Sequence, residues 1–91
     1  SVDLQWGEAT VATGGSPGNS ADTTVTYPQA YSTLYTVLTG LADMGGAPAA
    51  TKCGPYSEGT STFVMRWQDT DGTALQGGIN LDAYWMSIGL L

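Results

Sequence analysis

Alternation with a period of two, interrupted every few residues by glycine or proline, is what most narrows the folds open to this chain. It is clearest over residues 60–68. There Phe63, Met65 and Trp67 fall on one face, and Val64, Arg66 and Gln68 on the other. Successive side chains of a strand point to opposite sides, so this pattern is the mark of a β-strand. Residues 33–39 repeat it, with Leu34, Thr36 and Leu38 against Tyr35, Val37 and Thr39. Residues 81–90 carry Ala83 and Trp85 on one side and Tyr84, Met86, Ile88 and Leu90 on the other. Residues 2–6 alternate weakly up to Gly7, where a bulge is expected, and residues 8–13 continue the strand. Residues 23–27 are rich in β-branched side chains and end at Pro28, and residues 49–53 read as a short, weak strand. Residues 14–20, 41–48 and 69–80 read as loops, and 54–59 as a turn. The single breaker-free stretch of helical length, 29–39, has the β-branched and aromatic content of a strand. The pattern therefore predicts an all-β domain over residues 1–91, a small antiparallel β-sandwich of about six strands.

Size and charge limit what such a domain does. A lone sandwich of 91 residues buries a modest share of its surface. Together with a closing strand that is apolar on both faces, this predicts a partner subunit, with cyclic symmetry closing one patch on its neighbour. Charged residues are 11% of the chain, against roughly 25% in an ordinary soluble domain. Lys52 and Arg66 face eight acids, for a net charge of −6. Two bases cannot neutralise a run of phosphates, so nucleic acid is excluded as a partner. Anionic membranes are disfavoured for the same reason. No apolar run approaches the roughly 20 residues of a membrane-spanning helix. The lone cysteine, Cys53, allows no internal disulfide and suits folding in a reducing cytoplasm. Its expected role is that of a small buried hydrophobe.

The chemistry of most enzymes is missing. The chain has no histidine, which removes the usual nucleophilic triads and imidazole metal sites. Asp69 and Asp71 are the one close carboxylate pair, inside a turn that Asp favours for its own backbone hydrogen bonds. The run Asp69-Thr70-Asp71-Gly72 opens like a calcium loop but lacks the closing glutamate. We therefore expect no catalytic residues, no metal and no cofactor. Trp67 and Trp85 lie in strands and are expected to be structural, whereas Trp6 suits either the core or a subunit contact.

Three motifs together resemble a known family. Leu4-Gln5-Trp6-Gly7 resembles the Gln-Trp-Gly signature that opens the C-terminal domain of many bacteriophage tail fibres. Thr24-Val25-Thr26-Tyr27-Pro28, followed by Ala30-Tyr31, resembles that family's next strand. Tyr84-Trp85-Met86-Ser87-Ile88-Gly89 resembles its closing motif. Phe63 and Trp67 fall where these domains, and the similar H-type lectins, carry the penultimate strand. The resemblance spans the chain in the right order. It implies a lectin-like, typically trimeric domain at the distal end of the fibre in the virion. The implied task is recognition of a host surface polysaccharide or outer-membrane protein. The shared motifs are structural and transfer no catalytic residues. A structural cap that trimerises the fibre, or a free-standing lectin, is the alternative.

If the chain enters from a shaft and its strands run up and down, loops 14–22, 41–48 and 69–80 share the far end. Loops on a rigid scaffold are where binding groups usually lie. Their polar members, Asn19, Asp22, Asp43, Asp69, Asp71, Gln76 and Asn80, are the expected ligand-binding residues. Most are acceptors suited to sugar hydroxyls or to basic groups on a receptor.

Overall fold

The computed structural model describes residues 1–91 except 15–17, 19, 43–50, 71–74 and 76. Six strands follow in order: β1 (Val2–Ala12), β2 (Ser20–Thr26), β3 (Thr33–Leu41), β4 (Thr51–Tyr56), β5 (Thr62–Asp69) and β6 (Asn80–Leu90). They form two three-stranded sheets, β1-β6-β3 and β2-β5-β4. Every neighbouring pair is antiparallel. This is the predicted small antiparallel sandwich, and no helix occurs among the described residues.

The alternation read from the sequence sets the core. Phe63, Met65 and Trp67 of β5 are fully buried, as are Leu81 and Ala83 of β6. The β5 side chains face Leu81, Ala83 and Trp85 of β6, Ala9 of β1 and Val37 of β3 across the sandwich, with Tyr27 and Tyr31 closing it from the β2–β3 connection. Four aromatic rings interlock at the centre. Tyr27 lies 5.2 Å from Tyr31 and 6.0 Å from Trp85, both edge-on, and Phe63 lies 5.6 Å from Trp85, also edge-on. Rings prefer this edge-to-face arrangement because each carries a negative face and a positive rim.

The family-like motifs acquire physical reasons here. Gly7 pairs with Trp85 across β1 and β6, and the indole lies flat against its backbone. A Cβ on Gly7 would stand 3.0 Å from both Cζ2 and Nε1 of Trp85. Gln5 is buried, and its amide copies a strand edge. Its Nε2 donates to the Gln29 carbonyl at 2.8 Å, and its Oε1 accepts from the Gln29 N–H at 2.8 Å. Ser87 and the Tyr31 hydroxyl bond each other at 2.7 Å in the interior. A Cβ on Gly89 would fall on the Thr33 carbonyl and 2.7 Å from Tyr31 Cδ1.

Some expected details differ. β1 runs through Gly7 with unbroken pairing. The irregularity lies instead in β3, between Leu34 and Thr36. That bulge lets Leu34 and Val37 both turn to the core while Tyr35 and Thr36 are both exposed, so the strict alternation expected there fails. β4 begins at Thr51 and runs through Pro55 to Tyr56, across residues 54–56 of the expected turn. Proline is tolerated because β4 is an edge strand, paired with β5 alone.

Tyr27 and Tyr31 make opposite predictions. The Tyr27 hydroxyl is buried with no hydrogen-bond partner among the described residues, and burial pushes it up to about 12. Tyr27→Phe therefore leaves stability unchanged or raised. Tyr31→Phe removes the 2.7 Å bond and leaves buried Ser87 only a long one of 3.4 Å to the Gln5 carbonyl, at a cost of about 1–3 kcal/mol. Denaturant titration distinguishes the two. Gly89→Ala drives a methyl into backbone that cannot yield and costs about 3 kcal/mol or more. Trp85→Ala costs about 3–5 kcal/mol, enough to unfold a domain of marginal stability. Thermal melts that found either variant near wild type would contradict this packing.

Candidate functional site

With the core filled by one face of each sheet, the two outer faces and the strand-end loops remain for function. The outer faces differ sharply. On β1-β6-β3, the pairing sets side chains in cross-strand rows: Leu4, Ile88 and Thr36, then Trp6, Met86 and Leu38. Trp6 is 70% exposed and Tyr84 57%, with Val2 and Leu38 above half and Leu4 at half. Such contiguous apolar exposure is rare on a monomer and marks a contact surface. Gly40, opposite Tyr84, leaves a hollow of about 330 Å³ between Trp6, Leu38, Tyr84 and Met86. Trp6 thus belongs to the outside of the isolated domain, whereas Trp67 and Trp85 belong to its core.

The outer face of β2-β5-β4 is polar. Asp22, Arg66 and Gly54 form one row across the sheet, flanked by Ser20, Gln68 and Lys52 on one side and Thr24, Val64 and Tyr56 on the other. Arg66 donates to Asp22 through Nε and Nη2, each at 2.9 Å. Its guanidinium carbon sits 4.1 Å from the centre of the Tyr56 ring, within cation–π range. The guanidinium holds the Asp22 carboxyl below its ordinary value of 3.8. Beside this cluster a cavity of about 350 Å³ lies over Gly54, walled by Lys52, Tyr56, Arg66 and Gln68. Cys53 points the other way and packs against the core. Burial pushes its thiol up, which makes it a poor nucleophile.

The expected binding residues separate. Asn19, Asp43, Asp71 and Gln76 lie outside the described residues. Asp22 is in β2 rather than in a loop, and its carboxylate is spent on Arg66. Asp69 ends β5, half-buried and paired with Thr51; Asn80 starts β6, exposed and paired with Ala12. The up-and-down course holds. Ala12, Asn80 and Leu41 lie at one end of their sheet, and Ser20, Asp69 and Thr51 at one end of theirs. At the opposite end, Tyr31 N–H donates to the Thr60 carbonyl at 2.8 Å and Ser32 N–H to the Leu90 carbonyl at 2.7 Å, joining the sheets. The strand ends that bound the three long loops therefore share the end remote from Val2. Asp69 and Asn80 sit there; Asp22 does not group with them. Among the described residues, no three His, Cys, Asp or Glu side chains gather as a metal site. Of the calcium-like run, Asp71 and Gly72 fall outside the described residues.

Sequence reading missed the Arg66–Tyr56–Lys52 cluster. Arg66 and Gln68 were legible as the face opposite Trp67. Ending β4 at Cys53 hid the companion alternation of Lys52, Gly54 and Tyr56.

The match to known proteins covers this whole framework. The family model described as "Putative tail fiber protein gp53-like, C-terminal" matches residues 4–90. The chain belongs to this family. A gp53-like domain is the C-terminal part of a tail fibre, so its place is the phage tail. No curated protein sequence matches it. A structure of the P. aeruginosa R1 pyocin fibre superposes with a TM-score of 0.71 at 25% identity, over 97% of this chain and 23% of that one. An N-truncated R1-type pyocin tail fibre gives 0.69 at 22% identity, over 97% of this chain and 70% of that one. The tailspike protein gp49 of Pseudomonas phage LKA1 gives 0.80 at 17% identity, over 98% of this chain and 15% of that one, and shares the fold. The gp53-like domain spans about a quarter of the longer pyocin fibre chain and less of the tailspike.

The ion pair predicts a pH signature. Asp22 is depressed in the folded state, so its contribution is complete above 3.8 and is lost as pH falls through the lower folded value. Both partners are about a third exposed, so solvent screening keeps the contribution small. Carboxyl NMR should place the Asp22 midpoint below 3.8, and Arg66→Gln should raise it toward that value. A midpoint unmoved by Arg66→Gln would disprove the assignment.

Proposed function

We propose that this gp53-like domain is a homotrimeric fibre tip that binds a host-cell surface receptor, a polysaccharide or an outer-membrane protein, during adsorption. The observation that carries the reading is the polarised exterior: one sheet face apolar, the other polar. A face set with Leu4, Trp6, Leu38, Tyr84 and Met86 gains by leaving water. Cyclic assembly lets each copy cover it with the surface of its neighbour, and the trimer is the state that the family resemblance implies. The domain then presents its polar sheet and the loops at the end remote from Val2. With a shaft joined at Val2, those loops face the host. Binding, not catalysis, is the task, and Asp69 and Asn80 stand at the base of the third loop. With its unpaired Cys53, the domain suits folding in the bacterial cytoplasm before assembly into the virion.

Sedimentation of the purified domain should give three times the 9.4 kDa chain mass. Met86→Glu should reduce it to a folded monomer. A wild-type monomer at micromolar concentration would refute the assembly. The purified trimer should also block phage adsorption. Joint replacement of Asp43, Asp69 and Asn80 by Ala should weaken blocking at least fivefold with the thermal midpoint intact. Unchanged blocking by this variant would move receptor contact from the loops to the flanks. A trimer that never blocks would make the domain a structural cap.

A further inference from the structure

The polar sheet carries a feature that neither the core nor assembly explains. Gly54 lies inside β4, where glycine weakens a strand. Its φ is not in the left-handed region, and a Cβ there would meet nothing within 4 Å. Neither backbone conformation nor packing calls for glycine. Its one structural effect is to leave open the cavity of about 350 Å³ beside Arg66. Glycine inside a strand often marks the close approach of a ligand.

The walls name the ligand's chemistry. Lys52 and Arg66 are the chain's two basic side chains, in a protein of net charge −6, and both line this cavity. Asp22 neutralises Arg66 and fixes its guanidinium. Lys52 has no ion pair with a described residue, so it supplies the surplus positive charge. Tyr56 is half exposed, with the guanidinium over its ring. Gln68 adds an amide that donates and accepts. An anion alone needs no aromatic wall or amide acceptor, and a neutral sugar needs no surplus cation. A pyranose that bears a carboxylate uses all of them.

We infer that the groove over Gly54, between Lys52, Tyr56, Arg66 and Gln68, binds an acidic saccharide unit of the host surface. Lys52 meets the carboxylate, Gln68 a ring hydroxyl, and Tyr56 flanks the sugar face. The host assignment rests on the receptor-binding reading above; the saccharide site itself does not.

The test titrates the ¹⁵N-labelled 91-residue chain with tetragalacturonate, and separately with its full methyl ester, which keeps the rings and removes the charge. The acid should shift the amides of Lys52, Gly54 and Gln68 saturably, and the ester should bind at least tenfold more weakly. Lys52→Gln should weaken the acid about tenfold, as expected for loss of a charge-assisted hydrogen bond. Gly54→Leu should fill the groove and abolish binding with the thermal midpoint retained. No shift with the acid, equal binding of the ester, or undiminished binding by Lys52→Gln overturns the proposal. Adsorption assays separate the two readings. If the wild-type domain and Gly54→Leu block phage adsorption equally, the domain binds a receptor but this groove is not the contact. If tetragalacturonate binds as described and neither protein blocks adsorption, the saccharide site stands and the receptor-binding reading falls.

Discussion

The seating of Trp85 on Gly7 is the contact on which the rest of the sandwich depends. The indole reaches Tyr27 and Phe63 while lying against the backbone of the neighbouring strand, where a Cβ on Gly7 would crowd it at 3.0 Å. Once it is seated, β1 and β6 are locked in register. Every second residue of β6 from Leu81 to Gly89 then faces inward, and every other faces out. The same register that builds the interior therefore also lines up Trp6, Met86 and Leu38 on the exterior. Interior packing and the apolar outer face are two results of one alignment.

The motifs that carry the family resemblance are, accordingly, places where backbone and side chain are closely fitted. Gln5 substitutes for a missing strand along the segment at Gln29. Gly89 admits the Tyr31 ring, and Ser87 receives its hydroxyl. Each position is bound to a partner more than twenty residues away. Motifs of this kind report the fold, and the fold is what this chain shares with a pyocin fibre and a tailspike. They carry no information on what is bound.

Much of the fold was legible because burial imposes a period of two on strands. Phe63, Met65 and Trp67 declared their face plainly, and Ala83 and Trp85 declared theirs. The misread places are those where a local rule was overridden. The β3 bulge shifts Leu34 and Val37 onto one side, which alternation alone cannot anticipate. Pro55 signals a turn in isolation, yet an edge strand needs no N–H on its open side and accommodates it. That misreading mattered for function. Tyr56 and Lys52 join Arg66 only once β4 is drawn through the proline. Asp22 was legible as an acceptor but not as one already bound to Arg66, since that pairing is fixed by the register of β2 on β5. The polar residues of the long loops announced themselves by composition, which says where turns form rather than which side chains converge.

The order β1-β6-β3 joins the first strand of the domain to the last. Val2 meets Leu90, so this sheet cannot close until β6 has been made. Contacts between such distant residues form late and slowly, because the intervening chain must first give up its freedom. Until then β1 is an unpaired edge carrying Leu4 and Trp6, ready to pair with the wrong strand. Synthesis of this domain is thus a race between completion and misassembly. Within the domain β6 decides the outcome, because it alone pairs with β1.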